Sequence, residues 1–147
     1  MSYRVGYTTG VFDLFHVGHL NILQRAKGMC EKLLVGVTTD ELAEALKGRR
    51  PAVEFSERIR IVESVRFVDG VVAQEEMNEI SDWRRLRFDV IFKGDDWRGT
   101  PKWTTLQNEF HRLGVAVVFF PYTATTSSTL VREYLRSGIA RNRGGEA

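Results

Sequence analysis

Apolar residues along this chain follow two alternating rhythms. Short runs rich in β-formers cover residues 4–8, 32–38, 70–73, 90–93 and 115–120, and four of the five are dominated by Val, Ile, Leu or Phe. Runs of that kind predict strands buried on both faces of a parallel sheet. Between them the apolar spacing shifts to a helical period. Leu20, Ile22, Leu23 and Ala26 mark a helix over residues 18–30, and Ile59, Ile61, Val62 and Val65 mark another over 56–65. Residues 79–86, 104–113 and 128–135 predict three more, with Gly114 and Gly138 as C-terminal stops. Strand and helix in alternation imply an α/β fold: one Rossmann-like domain, a five-stranded parallel sheet with helices on both faces. The domain is expected to span residues 1–138, with a flexible basic tail over 139–147.

A chain of 147 residues, 43% hydrophobic and 27% charged, suits one packed core rather than two. Its 21 basic and 19 acidic side chains leave a formal charge of +2, too little for a dedicated nucleic-acid binder, so no nucleic-acid partner is expected. Cys30 is the single cysteine, which excludes an internal disulfide and fits a reducing, cytoplasmic setting. The N-terminus runs straight into a strand pattern without a signal-peptide layout, and no apolar stretch has the length of a membrane span. A soluble protein with no membrane partner is the expectation.

In an open parallel sheet, ligands bind beyond the carboxyl ends of the strands, where the winding reverses. Four loops there carry chemistry. The first contains His16-Val17-Gly18-His19 at the start of a helix. Free N–H groups and the positive end of the helix dipole make that place a cradle for phosphate, and Gly18 lets backbone come close to a ligand. Zinc would need a third ligand, and the remaining histidine, His111, sits in a distant helix. The second loop, Lys47-Gly48-Arg49-Arg50-Pro51, gathers three cations. The third, Gly94-Asp95-Asp96-Trp97, places two acids at the end of a buried strand, where they need donors. In the fourth, residues 125–129 supply five hydroxyls in succession at a helix start, with Arg132 one turn further on.

The segment Gly10-Val11-Phe12-Asp13-Leu14-Phe15-His16-Val17-Gly18-His19 resembles the signature of the cytidylyltransferase branch of the HxGH nucleotidyltransferases, most of all the glycerol-3-phosphate cytidylyltransferases. The resemblance continues through Arg25-Ala26-Lys27, Thr39-Asp40-Glu41, Glu57-Arg58, Arg66-Phe67-Val68-Asp69, the Gly94–Trp97 motif and the Ser/Thr stretch. It implies that a phosphate oxygen of a small phosphorylated alcohol attacks the α-phosphorus of CTP. Pyrophosphate leaves without a covalent enzyme intermediate, and the product is a CDP-alcohol of the kind used in cell-envelope synthesis.

Carried over residue by residue, the resemblance makes His16, His19, Lys47 and Arg58 the catalytic set. It assigns Val11, Phe12, Gly18, Arg49, Asp96, Tyr122, Thr126, Ser127, Ser128, Thr129 and Arg132 to the nucleotide, with Asp96 reading cytosine. Asp13, Lys47 and Met77 fall to the acceptor. Mg²⁺ is implied on the phosphate oxygens of CTP, with no metal ligands from the protein, and a homodimer is expected.

The likeness departs at two places. Tyr122 stands where the glycerol-phosphate enzymes carry an arginine, and Ala124 and Thr125 replace an acid and a glycine, so Arg132 or Arg98 is expected to supply the missing charge. Met77 and Ile80 replace an aromatic and a lysine, which points to a different acceptor. Two other functions follow from the same residues: transfer from ATP, as in the adenylyltransferases of pantetheine phosphate, flavin mononucleotide and heptose phosphate, and nucleotide binding without turnover.

Overall fold

The computed structural model describes residues 2–121 and 127–145. Five strands, β1 (Tyr3–Gly10), β2 (Cys30–Thr38), β3 (Gly70–Gln74), β4 (Val90–Gly94) and β5 (Ala116–Phe120), form one parallel sheet in the order β3-β2-β1-β4-β5. The winding runs outward from β1 through β2 to β3, then crosses back to β4 on the other side of β1. The reversal leaves a crevice above the carboxyl ends of β1 and β4, the place where such sheets take their ligands.

Among the described residues six α-helices connect and cover the strands: α1 (Val17–Lys27), α2 (Asp40–Lys47), α3 (Phe55–Glu63), α4 (Glu79–Leu86), α5 (Pro101–Arg112) and α6 (Ser128–Gly145). One side of the sheet packs Leu33, Val35, Val37 and Phe92 against Leu23 and Ala26 of α1 and Val62 of α3. The opposite side packs Tyr7 and Ile91 against Trp103, Leu106 and Phe110 of α5, with Ile80, Trp83 and Leu86 of α4 joining at the margin. Alternate residues of each strand therefore enter different cores, as the period of two requires. Close approach fixes the centre: a Cβ built on Gly36 of β2 would run into the Tyr7 hydroxyl.

The α/β alternation is as expected, with differences at the ends of elements. α1 stops at Lys27, so Cys30 opens β2 instead of closing the helix. Helix α2 was absent from the hydrophobic pattern because it buries a single residue, Ala43. It starts where the Thr39 hydroxyl accepts the Leu42 N–H at 3.3 Å. Lys47 is consequently the last residue of a helix, stopped by left-handed Gly48, and not part of a free loop. Gly114, with φ of 75°, follows the end of α5 as expected. Gly138 does not stop α6, which runs through to Gly145. Among the described residues no helix is long and apolar enough to cross a membrane.

Candidate active site

A cavity of about 590 Å³ opens at the reversal point, lined by the ends of β1, β2, β3 and β4 and the starts of α1 and α6. The β1–α1 loop forms its first wall. Phe12 and Leu14 both take positive φ there, 54° and 51°, a conformation that costs energy for residues with side chains and is tolerated where function demands it. The loop then delivers His16 as the N-cap of α1.

Both histidines are fixed by backbone. The Gly18 N–H donates to His16 Nδ1 at 3.0 Å, and the His16 N–H donates to His19 Nδ1 at 3.2 Å. An Nδ1 that accepts carries no proton, so each neutral ring presents its N–H at Nε2. The two rings lie 3.9 Å apart between centroids and line the cavity. Burial makes His16 harder to protonate than usual. Burial and the adjacent His16 push His19 down to about 3, with Asp13 opposing and the positive charge of Lys47 adding a lesser push. Near neutrality the pair is therefore two uncharged donors at the positive end of a helix, a site for an anion.

Of the remaining expected residues, Val11, Phe12, Gly18, Lys47, Met77, Asp96, Ser127, Ser128 and Thr129 also line the cavity. Burial, followed by repulsion from Arg132 and Arg49, holds Lys47 below the usual lysine range. Ser127 caps α6 by accepting the Leu130 N–H at 3.0 Å. Tyr122 and Thr126 lie outside the described residues, as do Ala124 and Thr125.

Four assignments change. Arg58 does not face the cavity; its side chain is fully buried. It donates to the carbonyls of Val11 (2.6 Å), Thr38 (2.8 Å) and Val53 (2.8 Å) and pairs with Asp40 at 2.7 Å. With its donors engaged, it holds the loops after β1 and β2 in place rather than touching a ligand. Asp13 is also withdrawn from the acceptor. Its carboxylate accepts the N–H groups of Ala52 and Val53, at 2.8 and 2.9 Å, and pairs with Arg132. Burial opposes this charge, but those donors outweigh it and keep the carboxyl below its usual range. Arg132 is thereby occupied as a partner of Asp13 and does not line the cavity. Arg49 is exposed and also outside the lining. Arg98 pairs with Asp95 at 3.2 Å and, like Arg132, is not part of the cavity lining.

The cavity also contains polar residues that motif reading passed over: Thr9, Thr38, Gln74 and Lys93, each at or near the carboxyl end of a strand. Thr38 donates to Gln74 Oε1 at 2.9 Å. Tyr7 donates to Asp82 Oδ2 at 3.0 Å behind them. A signal existed in the pattern: polar side chains where buried strands end are exposed to whatever the crevice holds.

A family profile described as cytidylyltransferase-like matches residues 7–134. The bifunctional protein HldE of Caulobacter sp. (strain K31) is 40% identical over 95 residues, 64% of this chain and 20% of that protein. HldE of Paramagnetospirillum magneticum is 41% identical over 95 residues, with the same coverage of 64% and 20%. The chain thus spans about a fifth of the length of these relatives. Among solved structures, a lipopolysaccharide core biosynthesis protein from Thermoplasma volcanium superposes with a TM-score of 0.69 at 24% identity, covering 83% of this chain and 98% of the other. A pantoate-beta-alanine ligase from Francisella tularensis, complexed with beta-gamma ATP and beta-alanine, reaches 0.58 at 12% identity, covering 84% and 60%. At such identities the structures establish a shared fold.

Proposed function

We propose, since the chain belongs to the cytidylyltransferase-like family, that it is a nucleotidyltransferase moving CMP from CTP to the phosphate of a small phosphorylated alcohol. One observation carries this reading: His16 and His19, each held by a backbone N–H at Nδ1, turn two neutral Nε2–H donors into a cavity at the reversal of the sheet.

An oxygen of the acceptor's phosphate attacks the α-phosphorus. A new P–O bond forms, the bond from the α-phosphorus to the bridging oxygen breaks, and pyrophosphate leaves with that electron pair. A phosphate dianion is already a nucleophile, so no protein base is required. Donors placed where negative charge grows on the α-phosphate are what lower the barrier. Asp96 is the one carboxylate lining the cavity among the described residues, and it would accept from the exocyclic amine of the base. Among the described residues no cluster of three His, Cys, Asp or Glu side chains is arranged for a metal. Mg²⁺ would travel on the phosphate oxygens and offset their charge.

A second reading keeps the chemistry and replaces CTP with ATP. It is supported by the 40% identity to HldE, and an adenine amine would suit Asp96 as well as a cytosine amine. A matrix of CTP and ATP against glycerol 3-phosphate, phosphorylated aminoalcohols and sugar phosphates, read as pyrophosphate release, decides between them. Release with CTP is expected. Release with ATP alone would replace the first reading by the second, and tight nucleotide binding without release across the matrix would overturn both.

A further inference from the structure

Lys93 is the penultimate residue of β4, on the α4/α5 side of the sheet, and forms part of the cavity wall. Its Nζ stands 5.0 Å from the Trp97 ring centroid and 5.6 Å from that of Trp103, with a long hydrogen bond of 3.5 Å to the Thr9 hydroxyl. An ammonium has three N–H donors, so most of its bonding capacity is unused among the described residues. Among the described residues no carboxylate pairs with it. Glu79 of α4, the acid that acts on it most strongly, instead pairs with Lys102 of α5 at 3.3 Å. Asp96 adds attraction from the turn after β4, while Lys102 and Lys47 repel. A cation held this way, beside a second cation on the same cavity, is costly until an anion joins it.

The anion-binding groups divide into two sets. The starts of α1 and α6 lie together, tied by the Ser128 hydroxyl donating to the Asp13 carbonyl at 2.6 Å, and offer backbone and imidazole donors. Lys47 comes from the end of α2, beyond β2, and Lys93 from the end of β4. These two strands flank β1. We propose that Lys93 is an acceptor-binding residue that grips the phosphate of the acceptor together with Lys47, orienting the oxygen that attacks the α-phosphorus. It acts as a fixed charge and exchanges no proton with the substrate. This role rests on the nucleotidyl-transfer reading, but the binding of phosphate to Lys93 can be measured without turnover.

The test follows the Lys93 ammonium by NMR in lysine-labelled protein, with the signal identified by its loss in Lys93→Arg. Burial lowers this group to about 8, with Glu79 partly opposing the shift. Saturating inorganic phosphate should raise the midpoint by about one pH unit, corresponding to about tenfold tighter binding of phosphate to the charged form. In Lys93→Met, which keeps the contact with the Trp rings, phosphate affinity should fall about tenfold while CTP affinity changes less than about threefold. A midpoint that phosphate leaves unmoved would overturn the proposal, as would a Lys93→Met variant that weakens phosphate and CTP equally. If no nucleotide gives pyrophosphate, the transfer reading fails alone; the Lys93 response still stands or falls on the phosphate titration.

Discussion

Single side chains set the chemistry of the cavity through what their backbones allow. His19 protonates only near pH 3 when folded, whereas an unfolded histidine does so near 6.5. Below about 6.5 the unfolded chain therefore takes up a proton that the folded chain refuses, and stability falls as the pH drops. His19→Asn keeps an acceptor in place of Nδ1 and removes the titration. It should lose less stability than wild type between pH 7 and 5 in urea unfolding, while its transfer rate falls about 100-fold for want of the Nε2 donor. Arg58 makes the opposite case. Removing it leaves three carbonyls and Asp40 without their partner, so Arg58→Met should cost about 3–5 kcal/mol in chemical denaturation. The histidines were legible in the sequence because their spacing and place at a helix start carry the chemistry locally. The role of Arg58 was not, since its acceptors come from residues 11, 38, 40 and 53, brought together only by the fold.

Elements were readable in proportion to the apolar surface they bury. All five strands and α1, α3, α4 and α5 announce themselves because their inward residues recur at the right period. α2 buries Ala43 alone and gives no such rhythm, which disguised Lys47 as a loop residue. Lys93 escaped notice for a related reason: within an apolar strand it looks like an end marker, and only the sheet order turns it toward the cavity. The register of β1 and β2 offers a test at this scale. Gly36→Ala would force its Cβ against the Tyr7 hydroxyl and disturb the Tyr7–Asp82 hydrogen bond, with an expected loss of about 1–3 kcal/mol by thermal unfolding. Trp103→Ala, which empties the centre of the α5 core, should cost about 3–5 kcal/mol in the same measurement.

Over the whole molecule the cavity is held by one carboxylate that joins distant parts of the chain. Asp13 receives the Ala52 and Val53 N–H groups, the Arg132 guanidinium and, at its carbonyl, the Ser128 hydroxyl. Asp13→Asn keeps the shape but gives up the charge, so it should weaken nucleotide binding about tenfold, measured calorimetrically, with the sheet unaltered by circular dichroism. No sequence window could have shown this junction, because its members lie up to 119 positions apart. The same junction imposes an order on synthesis. A growing chain can complete the sheet as soon as β5 has emerged, yet its pocket lacks a side until Ser128 and Arg132 leave the ribosome. The pocket is thus whole only after all five strands have been made, when α6 arrives to close it.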